Sequence, residues 1–468
     1  MILRVRNRTT ALIGRIEAFK LFGREPSKPS FPMAIPIDGQ PFKAESSVGA
    51  MDLQSTLRYA VENAKFYKAL GISGENLSEF PIVNRTLVRD RFRDLLTVSG
   101  RTGDAILGII EGSDIPAEAT KKTEFGFGST YVIEQTSGTS GIPLRLVKST
   151  KERTKLSLET WKRRVAIDSA LTVGKFFPIF HRVLDEPMAC DPFATTSDGI
   201  ARFYNWISEK QIRWLHAPVR LLAFQALALR QRSLRFPESL KFIELSGSSV
   251  SADDVALLES LGAQVVNQYG TRESWAIGYA LGSDAFDLVK ESVHVELLDE
   301  NNRRIEIENK EGNVVITSCI LRALPIIRYM TGDRGVWDSC RNGLSNRKKI
   351  MRLALTGDRE LNMLTIGGKR VSGNTFFKDL LYKIDQRIGF GYAEFIQIRR
   401  KGLHKWELII QNCSKTELLF RELLEVLRIY DHCVILELKM LSSGNAVASD
   451  YAKPYLFVNE FECIKNHL

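Results

Sequence analysis

Residues 133–147 read IEQTSGTSGIPLRLV, with Thr136, Ser137, Gly138, Thr139, Ser140 and Gly141 in one unbroken run and Pro143 close behind. Neither a helix nor a strand interior favours so much glycine and hydroxyl. A loop of this composition can curl its backbone N–H groups inward, and the hydroxyls add further donors. The result is a nest suited to an anion such as phosphate. Glycine lets the backbone approach the phosphates with no Cβ in the way. No Gly-Lys-Ser/Thr follows, so this is not a Walker A loop. The same composition also suits an exposed surface loop.

A phosphate loop needs rigid anchors, and the flanking pattern supplies them. Residues 51–70 space Leu53, Leu57, Val61, Ala64 and Tyr67 or Lys68 as one helical face. From about residue 150 helices and strands alternate: KERTKLSLETWKRRVAIDSAL, GKFFPIF, PVRLLAFQALALRQR, LKFIELSG, ADDVALLESLG and AQVVNQYG. Ser251, with Asp253 and Asp254 after it, is a good N-cap for the last of those helices. This alternation predicts an α/β layer on a mostly parallel sheet. SVHVELLDENNRRIEIENKEGNVVITS then alternates at period two, with turns expected at Asn301–Asn302 and at Glu311–Gly312, and reads as antiparallel β. After about residue 357 a compact α+β unit follows: helix FFKDLLYKIDQRI, strands EFIQIRR and KWELIIQN, helix KTELLFRELLEVLRIY and strand VILELKML.

Three short motifs now line up in order. QTSGTSGIP resembles the phosphate loop of the adenylate-forming superfamily, usually written TSGTTGxP. NQYGTRES, beginning at Asn267, resembles its YGxTE motif, and YMTGDRG, beginning at Tyr329, resembles its YxTGD motif. ENAKFYKAL, FPIVNRTLVRDRF, LHAPVRLLAFQALAL, SVHVELLD and LPIIRYMTGDRG look like the phenylacetate–CoA ligase group. Within that group the chain is similar to CapK-type proteins of capsule and surface-polysaccharide biosynthesis. The resemblance spans about residues 50–460.

The resemblance implies a fold and a chemistry. The fold is multi-domain α/β: a basic extension over residues 1–50, a large adenylate-forming domain with parallel sheets and a β-rich subdomain over 51–357, and a small mobile α+β domain over 358–468. In the reaction, a carboxylate attacks the α-phosphate of ATP to give an acyl-AMP and pyrophosphate. A thiol, amine or hydroxyl then takes the acyl group. Positioning and charge neutralisation matter more than covalent help in such a step. The loop from Thr136 to Gly141 should hold the β- and γ-phosphates. Glu273 should hold Mg²⁺, a hard cation that favours carboxylate and phosphate oxygens. Tyr269, with Gly270 and Thr271 after it, should flank the adenine, and the backbone at Gly247 should approach it. Asp333 should accept from both ribose hydroxyls, as a carboxylate can. Lys453, in SSGNAVASDYAKPYLF, stands where a family lysine stabilises charge during adenylation; an ordinary exposed lysine reads the same way. The small domain should swing between two half-reactions.

The chain departs from the family pattern in places. In the hinge segment TGDRELNML, Asp358 stands at the usual arginine and Glu360 at the usual aspartate. Arg359, Arg334 or Arg328 then becomes the candidate ribose contact. Arg272 replaces a threonine or serine beside Glu273, and Ser248 replaces an acidic residue after Gly247. Only Cys340 stands where some relatives carry a cysteine cluster, so no zinc is expected. His181, His216 and His294 read as structural residues or substrate contacts. Phe176, Phe177, Phe180 and Trp214 read equally well as an acyl pocket or as core.

Composition sets outer bounds. The six cysteines are scattered without a CxxC pair, which argues against a disulfide framework and fits a reduced, cytoplasmic setting. No uncharged apolar run is long enough to span a membrane, and the N-terminal stretch lacks the uninterrupted apolar core of a signal peptide. The net charge is +10, and half of it lies in residues 1–30, where seven Lys/Arg face Glu17 and Glu25. Leu12, Ile16 and Phe19 share a helical face there. A basic amphipathic helix of this kind packs on its own domain, touches an anionic membrane, or docks on a partner. Nucleic acid is not an expected partner. The expected ligands are ATP, Mg²⁺, a carboxylic acid, and CoA or an amine or hydroxyl acceptor. A catalytically degenerate nucleotide-binding protein is the reading from another class.

Overall fold

The protein is described here from a computed structural model. It describes residues 52–111, 124–127, 130–135, 144–179, 197–247, 250–282, 284–339, 349–353, 363–366, 369–372, 395–411, 413–441 and 455–459, with single positions between them.

Helix α1 (Leu53–Asn63) opens at Asp52, whose side chain accepts from the Ser55 N–H. The helix expected over residues 51–70 is in fact two pieces. Ala64 is extended, and a separate helical turn covers Lys65–Lys68. The break lets both Ala64 and Tyr67 bury completely.

Strands β1 (Glu124–Phe127), β2 (Tyr131–Gln135) and β3 (Arg145–Ser149) form a small antiparallel sheet. Gln135 pairs with Arg145, so the two ends of the stretch 136–144 are held side by side. Helix α2 (Thr150–Ile167) follows β3 directly. Ser149 and Glu152 form a reciprocal capping box at its start. Glu152 also reaches across the fold, accepting from the backbone N–H groups of Arg322 and Ala323.

The main sheet has ten strands, ordered β10-β11-β12-β13-β9-β8-β7-β6-β5-β4. Its parallel part comprises β4 (Phe176–Pro178), β5 (Trp214–Pro218), β6 (Phe242–Ser246) and β7 (Gln264–Thr271). Helices α3 (Ser197–Glu209), α4 (Val219–Gln231) and α5 (Ala252–Ser260) connect these strands. Ser251 and Asp254 cap α5 reciprocally, as the sequence predicts. At β7 the sheet changes character, for β8 (Trp275–Leu281), β9 (Ala285–Leu288), β10 (Val293–Leu298), β11 (Glu311–Ser318), β12 (Tyr329–Ser339) and β13 (Lys349–Leu353) all pair antiparallel. The parallel layer and the β-rich stretch are thus one continuous sheet.

One expected turn is displaced. Glu311 and Gly312 begin β11, and the chain reverses earlier, near Asn309, which has φ 59°. Gly312 serves close packing instead. A Cβ there would lie 2.5 Å from the Ile305 side chain and 2.8 Å from the Leu298 carbonyl. The intervening residues contribute a single bridge, Leu298 to Arg304.

The large body has two main cores. One packs α1 and β2–β3 against the antiparallel strands. The other fills the parallel layer among α3, α4 and α5. Phe176, Phe177 and Trp214 are core side chains, Trp214 wholly so, and burial of this extent accounts for them without an acyl pocket. Phe180 lies outside the described residues.

Further along, β14 (Met363–Ile366) and β15 (Lys369–Ser372) form a hairpin. A four-stranded sheet then runs β18-β17-β16-β19, from β16 (Phe395–Arg400), β17 (Lys405–Gln411), β18 (Ile435–Leu441) and β19 (Tyr455–Asn459). Helix α6 (Thr416–Tyr430) places Leu419, Leu423 and Leu427 in the core of that unit. Among the described residues no helix is long and apolar enough to cross a membrane. No disulfide joins the four described cysteines; Cys190 and Cys319 are buried, Cys413 is half-buried and Cys433 is exposed.

Candidate active site

Two of the sequence motifs, NQYGTRES and YMTGDRG, converge where β7 ends. Tyr269 is buried on β7, and its hydroxyl donates to Asp333 Oδ2 at 2.8 Å. Asp333 lies on β12, four strand steps away in the sheet order. At about 4.8 Å per step, a flat sheet would hold the two strands roughly 19 Å apart. No tyrosine and aspartate side chain together span that distance. The sheet therefore curls, and the β12 face turns towards β7.

Glu273 sits in the turn between β7 and β8 and is only 1% exposed. The Tyr329 hydroxyl, from the start of β12, donates to its Oε1 at 2.7 Å. Two tyrosine–carboxylate pairs thus staple β12 to the end of β7. The turn is held internally as well: the Ser274 N–H donates to Thr271 Oγ1, and the two hydroxyls lie 3.3 Å apart. Gly270 forms part of a β-bulge, and a Cβ there would meet the Trp275 carbonyl oxygen at 2.3 Å. Trp275 itself has φ 61°, which a tryptophan adopts only under constraint.

The constraint is a buried ionic cluster. Glu134 on β2 and Lys148 on β3 are both fully buried, with Lys148 Nζ donating to Glu134 Oε2 at 2.6 Å. Lys148 Nζ also donates to the Arg272 carbonyl at 2.5 Å. Arg153, in the first turn of α2, pairs with Glu134 Oε1 at 3.1 Å. The Trp275 indole N–H reaches Glu134 Oε2 at 3.4 Å, and its ring lies beneath both cations. Burial pulls the Lys148 ammonium below the ordinary lysine range, and Glu134 opposes that shift.

A second buried network lies under β5 and β6. Arg164 on α2 grips Glu244 at 2.6 and 2.9 Å. The Trp214 indole N–H donates to Glu244 at 2.7 Å and the Tyr279 hydroxyl at 3.3 Å. Burial works against this carboxylate, but Arg164 and His216 outweigh it and hold Glu244 down at about 2. His216 is half-buried, with Nε2 3.0 Å from Ser246 Oγ at the carboxyl end of β6. Gly247 follows with φ 86°, which a side chain would disfavour. The carboxyl ends of parallel strands, beside a change in strand order, are the usual place for a ligand crevice in α/β sheets.

Other expected residues lie elsewhere. Arg328 is buried and committed to Glu296 and the Phe80 carbonyl, so it is not a free ribose contact. Arg334 pairs with Glu300 at 2.8 Å and with Glu311. His294 is half-buried on β10, and its Nε2 has no hydrogen-bond partner among the described residues. It lines a cleft of about 350 Å³ with Asp52, Lys290, Arg304 and Trp337. Residues 136–141, Ser248, His181, Cys340, Asp358, Arg359, Glu360 and Lys453 lie outside the described residues.

Mg²⁺ commonly keeps one or two protein carboxylates and takes its other ligands from phosphate and water. Among the described residues no cluster of three His, Cys, Asp or Glu could form a complete metal cage. A single carboxylate, Glu273, beside the anchors of a candidate phosphate loop fits the smaller donor set.

Sequence reasoning missed Lys148, Glu134, Arg164 and Glu244. One signal was present. In the apolar strand LRLVKS, Lys148 shares the inward face with Leu146, an unusual station for an ammonium.

No protein-family model matches this chain, and no curated protein does. Solved structures do match in fold. One is 2-hydroxyisobutyryl-CoA ligase in the postadenylation state, in complex with R3-HIB-AMP, at 18% identity and a TM-score of 0.52, covering 89% of this chain and 90% of that one. The same ligase in complex with 2-HIB-AMP matches at 17% identity and a TM-score of 0.52, with the same coverage. The chain thus has the mixed α/β fold of 2-hydroxyisobutyryl-CoA ligase over nearly its whole length.

Proposed function

We propose that this protein is an ATP-dependent ligase of the adenylate-forming superfamily that joins a carboxylic acid to AMP and passes the acyl group to CoA. The Tyr269–Asp333 hydrogen bond carries the reading. It pairs an aromatic ring with a carboxylate at the carboxyl end of the parallel strands, as recognition of adenine and ribose requires.

The parts then take roles. The loop from Thr136 to Gly141 holds the β- and γ-phosphates, its ends tied by the Gln135–Arg145 pair. The Tyr269 ring flanks the adenine, with Gly247, Gly270 and Thr271 allowing close approach of backbone. Asp333 accepts from the ribose hydroxyls with the capacity Tyr269 leaves it. Glu273 is the residue that would hold Mg²⁺, which when bound neutralises charge on the phosphates. Lys453 stabilises charge on the reacting carboxylate and α-phosphate. Arg359 contacts the ribose from the hinge, and the domain over 358–468 moves between the half-reactions. Scattered cysteines, with no disulfide among the described ones, suit a cytoplasmic setting. A CoA ligase stands among the solved structures of this fold, which makes CoA the first acceptor to test.

The test is carboxylate-dependent ATP–pyrophosphate exchange over aryl, fatty, amino and sugar acids, without CoA. A responding acid establishes adenylation, and addition of CoA or amines then identifies the acceptor. Silence across the panel, with ATP binding intact, would refute the ligase and leave a nucleotide-binding protein.

A further inference from the structure

Within the ionic cluster Lys148 hydrogen-bonds both the phosphate-loop hairpin and the turn of Glu273. Its Nζ donates to Glu134, one residue before the last residue of β2, and to the carbonyl of Arg272, one residue before Glu273. A fully buried ammonium is costly to desolvate, by several kcal/mol in real proteins. A simple apolar side chain on this strand would fill the same space at lower cost. The bond that such a side chain could not make is the one to the Arg272 carbonyl.

From this geometry we infer that Lys148 is a positioning residue: it registers the turn carrying Glu273 against the anchors of the phosphate loop, so that cation and triphosphate meet at a fixed separation. The inference rests on the ligase reading above. Three further contacts bear on it. Arg153 holds the other oxygen of Glu134, so the carboxylate does not depend on Lys148 for its charge partner. Trp275 closes the far side of the turn and touches Glu134 through its indole N–H. Tyr329 fixes the Glu273 carboxylate from the opposite strand. Tyr329 therefore orients the carboxylate, and Lys148 sets where its backbone stands relative to β2 and β3.

The charge balance makes the test practicable. Removing Lys148 leaves Glu134 paired with Arg153, a balanced couple with no buried charge unmatched. Lys148→Met should therefore fold. Titration calorimetry on the full-length chain would compare AMP, ATP with EDTA, and ATP with Mg²⁺. In the wild type Mg²⁺ should tighten ATP binding. In K148M the affinity for AMP should stay within about twofold of wild type, while the Mg²⁺-dependent gain falls about tenfold or more, the usual effect of losing a partner that orients a metal ligand.

Retention of the full Mg²⁺-dependent gain in K148M would overturn the inference. So would equal losses for AMP and Mg²⁺-ATP, which would mean a general structural role. If K148M does not fold, Lys148→Leu, a smaller apolar side chain that also leaves the Glu134–Arg153 couple intact, takes its place, and the same two comparisons decide. A wild-type chain that binds no nucleotide would instead refute the ligase reading, and this inference with it.

Discussion

The Tyr269 hydroxyl and the Asp333 carboxylate meet at 2.8 Å although four strand steps separate β7 from β12. The pair is a product of sheet curvature, and it ties the ring proposed to flank the adenine to the acid proposed to hold the ribose. Asp333→Ala should weaken AMP and ATP alike by roughly 10- to 100-fold, the range for hydrogen bonds to a charged group. Tyr269→Phe, which keeps the ring, should lose less. Nucleotide titration checks both, and wild-type affinity in D333A would remove Asp333 from the site.

Lys453→Ala should separate binding from chemistry. An ammonium that acts only on developing charge contributes little to the ground state. Exchange of pyrophosphate into ATP should fall by about 100-fold or more, with ATP affinity nearly unchanged. Undiminished exchange in the variant would exclude Lys453 from the mechanism.

Glu244 predicts an acid limb of stability. Its carboxyl is held at about 2, against an ordinary value of 4.5, with burial opposing and Arg164 and His216 favouring the charge. A depressed carboxyl stabilises the fold above pH 4.5 and loses that contribution as pH falls towards 2, here of the order of 3 kcal/mol. Glu244→Gln strands Arg164 and should cost about 3–5 kcal/mol at pH 7. The gap in melting temperature between wild type and variant should narrow between pH 5 and pH 3. A gap independent of pH would contradict the assignment.

Gly270→Ala should be damaging for a purely steric reason. The new Cβ would lie 2.3 Å from the Trp275 carbonyl, so the bulge must open. We expect a loss of about 1–3 kcal/mol and weaker AMP binding, because Tyr269 moves with the bulge. Gly174→Ala is the control, since a Cβ there meets nothing within 4 Å. Equal melting temperatures and affinities for the two variants would contradict the steric account.

The order of elements was legible because each carries its own period. Helix α2, strand β6 and helix α5 with its Ser251 cap all follow from local pattern. The phosphate loop was expected from composition together with the order of the motifs, and residues 136–141 lie outside the described residues. The pairing of Tyr329 with Glu273 was not, since nothing local links residues 56 positions apart. Buried charge was equally silent. Arg164 lies on α2 among Lys and Arg residues that read as a solvated face, and only Glu244 from another strand makes it internal. The broken helix at Ala64 was missed because its apolar spacing continues across the break.

The curled sheet has a consequence for how the chain comes together. Strand β13 lies between β12 and β9 in the sheet, so the Asp333 face is linked through the sheet to the Tyr269 face only through residues 349–353. The parallel layer can close on its own core earlier in synthesis, from residues 176 to 271. Contacts this distant in sequence form late, because the entropy of closing the intervening chain is lost before they reward it. In a chain emerging from its N-terminus, the proposed nucleotide face is therefore the last part of the large body to form.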